Sequence, residues 1–142
     1  MKTTLQEFQR LVAAADFIRP FGFVVEACAP RECVIRVPHA RSLERPGGIV
    51  SGITLMSAAD VAIWLAIMTE RGTAEQWVTT DLKTAFLSSA RMTDIICTAR
   101  ILKLGKRTAY GTAECRSAGA DLLSHHVLSY ALAAASPAGQ AP

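Results

Sequence analysis

Asp60 places an ionisable carboxyl group in the middle of an apolar stretch, residues 53–68. A charge in an apolar interior is costly unless it is paired or hydrogen-bonded, so this residue needs a partner or a function. Two interpretations fit. In the first, the carboxylate caps a neighbouring backbone N–H or pairs with an arginine. In the second, it acts as a general base or nucleophile.

A cluster of glycines precedes the same stretch: Gly47, Gly48 and Gly52. The first backbone N–H groups of a helix lack internal partners and lie at the positive end of its dipole, so they can bind an oxyanion. The alternative is that these glycines only permit a tight loop. Together with Asp60 they supply both parts of an acyl-transfer site, namely donors for the developing negative charge and a carboxylate.

The spacing of these groups constrains how they can cooperate. Asp60 lies eight residues after Gly52, which is about 12 Å along a helix that rises about 1.5 Å per residue. One chain therefore cannot bring both groups to one carbonyl. If they cooperate, each site takes one group from each of two subunits, which predicts an obligate two-fold dimer with two equivalent sites.

The elements that would position these groups can be read from hydrophobic periodicity. We expect a short amphipathic helix over residues 3–15, then a hairpin of strands over residues 21–28 and 33–37. A loop over residues 41–52 leads to a buried helix over residues 53–70. Four strands are expected after it, over residues 77–86, 92–104, 106–116 and 122–132.

This order predicts an α+β fold of the hotdog type, in which an antiparallel sheet wraps around one long central helix. One face of the third of these later strands carries mostly small residues, which would let that helix lie close to the sheet. These residues are Arg107, Ala109, Gly111, Ala113 and Cys115. We expect one domain over residues 1–133, including the N-terminal helix, and a flexible tail over residues 134–142.

Length and composition exclude several classes of protein. A chain of 142 residues, 51% hydrophobic and 19% charged, is too apolar for disorder and fits one domain. The apolar stretch is shorter than a membrane span and contains a carboxylate, so we expect no membrane partner. The N-terminus resembles neither a secretory signal nor a transit peptide, so we expect a cytoplasmic protein.

The four cysteines follow no zinc pattern, and we expect no metal. A net charge of +3 without interleaved aromatic residues gives little support to nucleic-acid binding.

Three runs of sequence carry a family resemblance: G-G-I-V-S-G-x(7)-D, V-T-T-D-L-K-x-x-F-L and A-R-I-L-K-L-G-K-R-T. Over roughly residues 40–133 the chain resembles the hotdog-fold acyl-CoA thioesterases of the phenylacetate-degradation type. The resemblance implies hydrolysis of an acyl-CoA by a homodimer or a dimer of dimers, without a cofactor. It makes Asp60 the base or nucleophile and the amide of Gly52 or Ile53 the oxyanion donor, while Thr79 helps to place water. The alternative for Thr79 is a β-favouring residue on an exposed sheet face.

Further residues are expected to bind the substrate. Gly48 belongs to the glycine loop, and Arg45 and Ser51 stand where the family has Asn and His; Ile53 replaces a second glycine. The basic residues Lys103, Lys106 and Arg107 could meet the phosphates of CoA, or could simply form a solvated turn.

Two other functions remain open. Because the family's Asn and His are replaced, the chain could be a non-catalytic acyl-CoA binder or a structural hotdog subunit. A hotdog dehydratase or hydratase is the least supported function. The resembling families with that activity typically pair a His with an acidic residue. Neither His39 nor the pair His125 and His126 is near the helix motif in sequence. Neighbours on a strand face opposite sides, so the pair cannot share a metal.

Overall fold

One long helix, α2 (Gly52–Arg71), forms the centre of the fold in a computed structural model that describes residues 1–133. A six-stranded antiparallel sheet packs against it, which confirms the predicted α+β architecture. The predicted tail, residues 134–142, lies outside the described residues. The helices are α1 (Leu5–Ala14) and α2 (Gly52–Arg71), and the strands are β1 (Val24–Ala29), β2 (Glu32–Val37), β3 (Glu44–Arg45), β4 (Ile49–Val50), β5 (Trp77–Phe86), β6 (Ile95–Leu104), β7 (Thr108–Ser117) and β8 (Leu122–Leu132).

The strand order in the main sheet is β1-β2-β6-β7-β8-β5, and every neighbouring pair is antiparallel. The hairpin β1–β2 forms one end of the sheet. The strand β5, which follows α2 directly, forms the other end, and within residues 1–133 it pairs only with β8. Its outer edge has no strand partner among these residues, a feature through which sheets recruit a further strand.

Burial explains why α2 is central. Its buried residues cover most of its circumference, as its apolar composition predicts. A narrow stripe stays accessible, and it consists of Ile53, Met56, Ser57, Asp60 and Trp64. By its length and composition alone, α2 could cross a membrane, but 67% of its apolar 18-residue segment is buried inside this fold.

The predicted small-residue face of β7 does lie against α2. A Cβ on Gly111 would stand 2.9 Å from the Cδ1 of Ile63 on the helix and 2.5 Å from the carbonyl oxygen of Arg100. Ala109, Ala113 and Cys115 on the same face are buried. The lack of side-chain bulk therefore lets helix and sheet approach closely.

Several predicted boundaries shift for local reasons. β1 starts at Val24 rather than residue 21, because a 3-10 turn over Asp16–Phe21 ends at Gly22, whose φ is +68°. β6 starts at Ile95 rather than residue 92, since Met92 has a φ of +46°. The predicted loop before α2 contains the two-residue strands β3 and β4.

Candidate active site

Asp60 lies on the accessible stripe of α2 and is held by hydroxyl groups from two strands. Its Oδ1 accepts a hydrogen bond of 2.6 Å from the Oγ1 of Thr79 on β5 and one of 2.5 Å from the hydroxyl of Tyr130 on β8. The same Tyr130 hydroxyl is 2.8 Å from the carbonyl oxygen of Asp60. The structure thus brings Thr79 to Asp60. Neither the capping of a backbone N–H nor an arginine pair is found for this carboxylate within residues 1–133.

Tyr130 is a site residue that sequence reasoning missed. Burial raises the pKa of its phenol, and the neighbouring negative charge of Asp60 raises it further, so the hydroxyl stays protonated and donates. The alternation of β8 places Tyr130 on the inner face of the sheet. That alternation was readable in the sequence, but nothing there indicated which residue 70 positions away it would contact.

A cavity of about 290 Å³ opens beside the Asp60 carboxylate. The aromatic side chains of Phe17, Trp64 and Trp77 line it, and the rings of Phe17 and Trp64 meet edge to face at 6.0 Å. Val78 lines it as well and is 47% exposed. An apolar pocket with one carboxylate at its wall is suited to an apolar group whose reactive end is polar.

The N-terminus of α2 forms a second feature. Ser51 is its N-cap, and its Oγ accepts a hydrogen bond of 3.3 Å from the N–H of Thr54. Among the described residues, no acceptor is found for the N–H groups of Gly52 and Ile53, which agrees with their place in the first turn. The ring of Phe86 covers Gly52, since a Cβ there would lie 3.0 Å from it.

A groove of about 460 Å³ runs along this helix end and is bordered by Arg45, Gly52 and Phe86. The loop before it turns at Gly47 and Gly48, whose φ values are +102° and +78°. Arg91 donates a hydrogen bond of 2.5 Å to the carbonyl oxygen of Gly47. The predicted substrate-binding residues Arg45, Gly48 and Ser51 therefore lie around the N-terminus of α2, where Ser51 and the glycines also shape the backbone.

The structure does not bring all predicted residues together within one chain. Gly52 and Asp60 stand on the same helix about 12 Å apart. Lys106 lies at the other end of α2, where Arg71 donates hydrogen bonds to the carbonyl oxygens of Gly105 and Lys106. Lys103 and Arg107 belong to the same β6–β7 turn region, so this basic group is far from Gly52 of its own chain.

None of the three histidines lies at Asp60. His39 pairs with Glu44 at 3.3 Å. His126 is fully buried between the hydroxyls of Thr84 and Ser124, each 2.7 Å away, whereas His125 on the opposite face is exposed. Within residues 1–133 no group of three or more His, Cys, Asp and Glu could hold a metal ion.

A long helix packed against a six-stranded antiparallel sheet is the hotdog architecture, and here a carboxylate lies on the accessible stripe of the helix. A family model described as the thioesterase superfamily matches residues 47–124, which is more than half of the chain. The chain belongs to the thioesterase superfamily. Membership supports thioester hydrolysis as the general class of reaction.

Individual relatives agree with this assignment. The chain is 27% identical over 105 residues to a protein of Thermoplasma acidophilum named "Putative esterase", covering 74% of this chain and 79% of that one. It is similar to zebrafish thioesterase superfamily member 2, with 25% identity, a TM-score of 0.82 and coverage of 92% and 99% of the two chains. A thioesterase from Haemophilus influenzae shares the fold with a TM-score of 0.87 at 16% identity, over 99% of this chain and 97% of that chain.

Proposed function

We propose that this protein is an acyl-CoA thioesterase that hydrolyses a thioester to a free acid and CoA. The observation that carries the proposal is the Asp60 carboxylate, which is oriented by Thr79 and Tyr130 and lines an aromatic cavity. Both hydroxyl donors act on Oδ1. The other oxygen, Oδ2, has no hydrogen-bond partner within residues 1–133 and is the atom that would meet water or substrate.

Two routes use the same groups. As a general base, Asp60 takes a proton from water while the water oxygen attacks the thioester carbonyl; the C–S bond then breaks and the proton passes to the leaving thiolate. As a nucleophile, Asp60 attacks the thioester carbonyl, the C–S bond breaks and the CoA thiolate leaves, which forms a mixed anhydride; water then hydrolyses the anhydride to release the acid and regenerate Asp60. In both, negative charge develops on the carbonyl oxygen, and the N–H of Gly52 or Ile53 is the expected donor to it.

The reaction requires a second copy of the chain. The amide donors and Asp60 are about 12 Å apart on one helix, so a two-fold dimer must place α2 of one protomer beside α2 of its partner in the opposite direction. The accessible stripe of α2 and the unpaired edge of β5 are the surfaces that such a dimer would cover. Exposed apolar residues on both support this: Ile53, Met56, Val78 and Phe86.

The proposed dimer sets the register of both α2 and β5. If Gly52 of one protomer lies beside Asp60 of the other, the two-fold axis passes α2 at Met56, midway between them. Asp60 contacts Thr79 and Gly52 contacts Phe86, so the same dimer sets Thr79 of one β5 opposite Phe86 of the other. Because the ladder of β5 contains a bulge between Thr79 and Asp81, the axis then passes β5 at Lys83, near the centre of the strand. A dimer of such dimers remains compatible with this arrangement.

The aromatic cavity bears on the acyl group. Phe17, Trp64 and Trp77 can pack against a flat ring edge to face or offset, an arrangement that aromatic pairs favour. This supports an aryl-acyl substrate, as in the phenylacetate-degradation type of hotdog thioesterase. A second copy would add its Phe86 to this wall.

Basic residues on both sides of the dimeric site support CoA as the thiol carrier. Arg45 and the Arg91-braced glycine loop flank Gly52. In the dimer, the turn with Lys103, Lys106 and Arg107 lies beyond Asp60 of the partner, since Asp60 and Arg71 are about 16 Å apart along the helix. Either group could bind phosphates at the end of the pantetheine arm.

The test is release of free thiol from short-chain, medium-chain and aromatic acyl-CoAs, each paired with the same acyl group on pantetheine. We expect turnover by the wild-type protein and a loss of about 10²- to 10⁴-fold for Asp60→Asn, the range for removing a general base. Asp121→Asn, at an exposed position before β8, is the matched control and should retain activity. Weaker turnover of the pantetheine esters would support nucleotide recognition.

Two outcomes would contradict the proposal. Binding of CoA esters without turnover would make the protein a binder, and full activity of Asp60→Asn would remove Asp60 from the mechanism. Variant folding and oligomer size, measured by circular dichroism and light scattering, separate these outcomes from a loss of structure.

A further inference from the structure

Two pairs of cysteines lie directly opposite each other in the sheet. Cys28 of β1 pairs with Cys33 of β2, and their Sγ atoms are 3.5 Å apart. Cys97 of β6 pairs with Cys115 of β7. Residues directly opposite in antiparallel strands have Cα atoms about 4.5–5.5 Å apart, which lies within the range of about 4.4–6.8 Å that disulfides span. Both pairs therefore have backbone geometry suited to a disulfide.

Access to solvent distinguishes the pairs. Cys97 and Cys115 have no exposed surface, whereas Cys28 is partly exposed beside its buried partner Cys33. The hairpin β1–β2 is also at the opposite end of the sheet from β5. Cys28 therefore stays accessible in the dimer proposed above, and only this pair can meet a dissolved oxidant.

The electrostatics of the accessible pair assign different roles to its members. The hydrogen bond from the Cys33 thiol lowers the pKa of Cys28, while that bond and burial raise the pKa of Cys33. Thiolate, not thiol, is the nucleophile in cysteine chemistry. Cys28 is thus the residue suited to attack, and Cys33 is placed to attack Cys28 in turn.

We propose that Cys28 and Cys33 form a site of reversible oxidation by hydroperoxides, with an intramolecular disulfide as the product. The Cys28 thiolate attacks one oxygen of the peroxide; the O–O bond breaks, alkoxide or hydroxide leaves, and the sulfur becomes a sulfenic acid. The Cys33 thiol then attacks the Cys28 sulfur. The S–S bond forms, the S–O bond breaks, and water leaves with the thiol proton. An external dithiol reverses the step by thiol–disulfide exchange.

The segment that the disulfide would close is anchored to the end of α2. Within it, the backbone N–H of Arg31 donates to the Oγ1 of Thr69 at 2.9 Å, and the Nε of Arg31 donates to Glu70 at 3.1 Å. Closing this short loop restricts the unfolded chain. We therefore expect the oxidised protein to melt at a temperature about 5 °C higher than the reduced protein.

The test is treatment of the folded full-length protein with hydrogen peroxide, followed by thiol titration and peptide mapping. We expect the four free thiols to fall to two, a Cys28–Cys33 disulfide in the map, and full recovery with dithiothreitol. Cys33→Ser should instead retain a Cys28 sulfenic acid that dimedone labels. Cys97→Ser, in the buried pair, is the matched control and should still form the disulfide.

Retention of all four thiols, or a disulfide that joins Cys97 to Cys115, would overturn the proposal. The proposal would also be overturned if dimedone labelled Cys33 in Cys28→Ser but did not label Cys28 in Cys33→Ser. Because mapping of the wild-type protein already identifies the bonded pair, the result does not depend on whether either variant folds.

Discussion

The Oδ1 atom of Asp60 accepts hydrogen bonds from the hydroxyls of Thr79 and Tyr130, on two neighbouring strands. These bonds fix the plane of the carboxylate, and they leave Oδ2 as the oxygen that would meet water or substrate in the proposed reaction. The sequence was sufficient to single out Asp60, because a charge within an apolar helix is unusual, and the family resemblance indicated Thr79. It could not indicate Tyr130, because that contact depends on how β8 lies over the helix 70 residues earlier.

Tyr130→Phe should lower kcat/KM about 10- to 100-fold. The variant removes one hydrogen bond to a charged group, worth about 1.5–3 kcal/mol, and about 1.4 kcal/mol corresponds to a factor of ten in rate. Steady-state hydrolysis of the best acyl-CoA provides the measurement. Tyr110→Phe, whose ring is 46% exposed on β7, is the control. Equal activity of Tyr130→Phe and wild type would show that Thr79 alone orients the carboxylate.

Asp94 makes the stability of the fold depend on pH. The backbone N–H of His39 and the guanidinium of Arg36 donate to its carboxylate at 2.8 and 3.0 Å and hold its pKa below the ordinary value of 3.8. A lowered folded-state pKa contributes stability that is complete above the ordinary pKa and is lost as pH falls through the folded-state pKa. Asp94→Asn should thus have a lower melting temperature than the wild-type protein at pH 7. The difference in melting temperature should vanish when the pH falls below the pKa of Asp94 in the folded protein.

Thermal melts of both proteins between neutral and strongly acidic pH test this. Asp121→Asn, at an exposed position in the turn before β8, should follow the wild-type curve throughout. A constant difference between Asp94→Asn and wild type at every pH would assign the effect to packing instead of charge.

At the scale of elements, the fold was largely predictable because its elements have clear periodicities. The continuous apolar run predicted α2, and alternation predicted the later strands. The sequence could not give the strand order, since β5 precedes β6 in the chain yet pairs with β8. It also missed the β3–β4 hairpin, because two residues per strand are too few to show a pattern.

Gly111→Ala should destabilise the protein by about 1–3 kcal/mol, the usual cost of adding atoms to a packed core. The new Cβ would lie 2.5 Å from the Arg100 carbonyl oxygen on β6 and 2.9 Å from Ile63 on α2, so β7 must shift relative to both β6 and α2. Chemical denaturation measures the change. Gly119→Ala, where the nearest atom is 3.7 Å away, should stay within about 0.5 kcal/mol of wild type. Similar stability of both variants would show that α2 does not rest on β7.

The two groups of the proposed reaction, the N-terminal amides of α2 and the Asp60 carboxylate, lie about 12 Å apart along one helix, so the proposed site is complete only in a dimer. The N-terminus of α2 and the Asp60 carboxylate are each well formed in one chain. Neither is close to the other. The sequence spacing alone predicts this, because helix geometry fixes the distance.

Mixed dimers should therefore recover activity from two impaired variants. Asp60→Asn removes the carboxylate, and Gly52→Pro removes one of the two expected oxyanion donors, the first N–H of α2, at a position that accepts proline; the Asp60→Asn homodimer should be inactive and the Gly52→Pro homodimer strongly impaired. Co-refolded in equal amounts, they should regain about a quarter of wild-type activity, because half of the dimers are mixed and each holds one intact site.

Gly52→Ala is the control for the proline variant. It brings a Cβ against Phe86 as proline does, but keeps the N–H, and should remain active. A mixture that stays inactive while mixed dimers form would show that both groups act from the same chain.

The pairing of β5 with β8 also has a consequence for how the protein emerges from the ribosome. Synthesis is vectorial, so α2 and β5 are made before Tyr130 and the rest of β8 exist. Until then β5 has no strand on either side, and the carboxylate of Asp60 lacks one of its two hydroxyl donors. Nascent chains that end before Leu122 should consequently expose this apolar helix and its neighbouring strand to chaperones. The chemistry can begin only after translation has nearly reached the end of the domain.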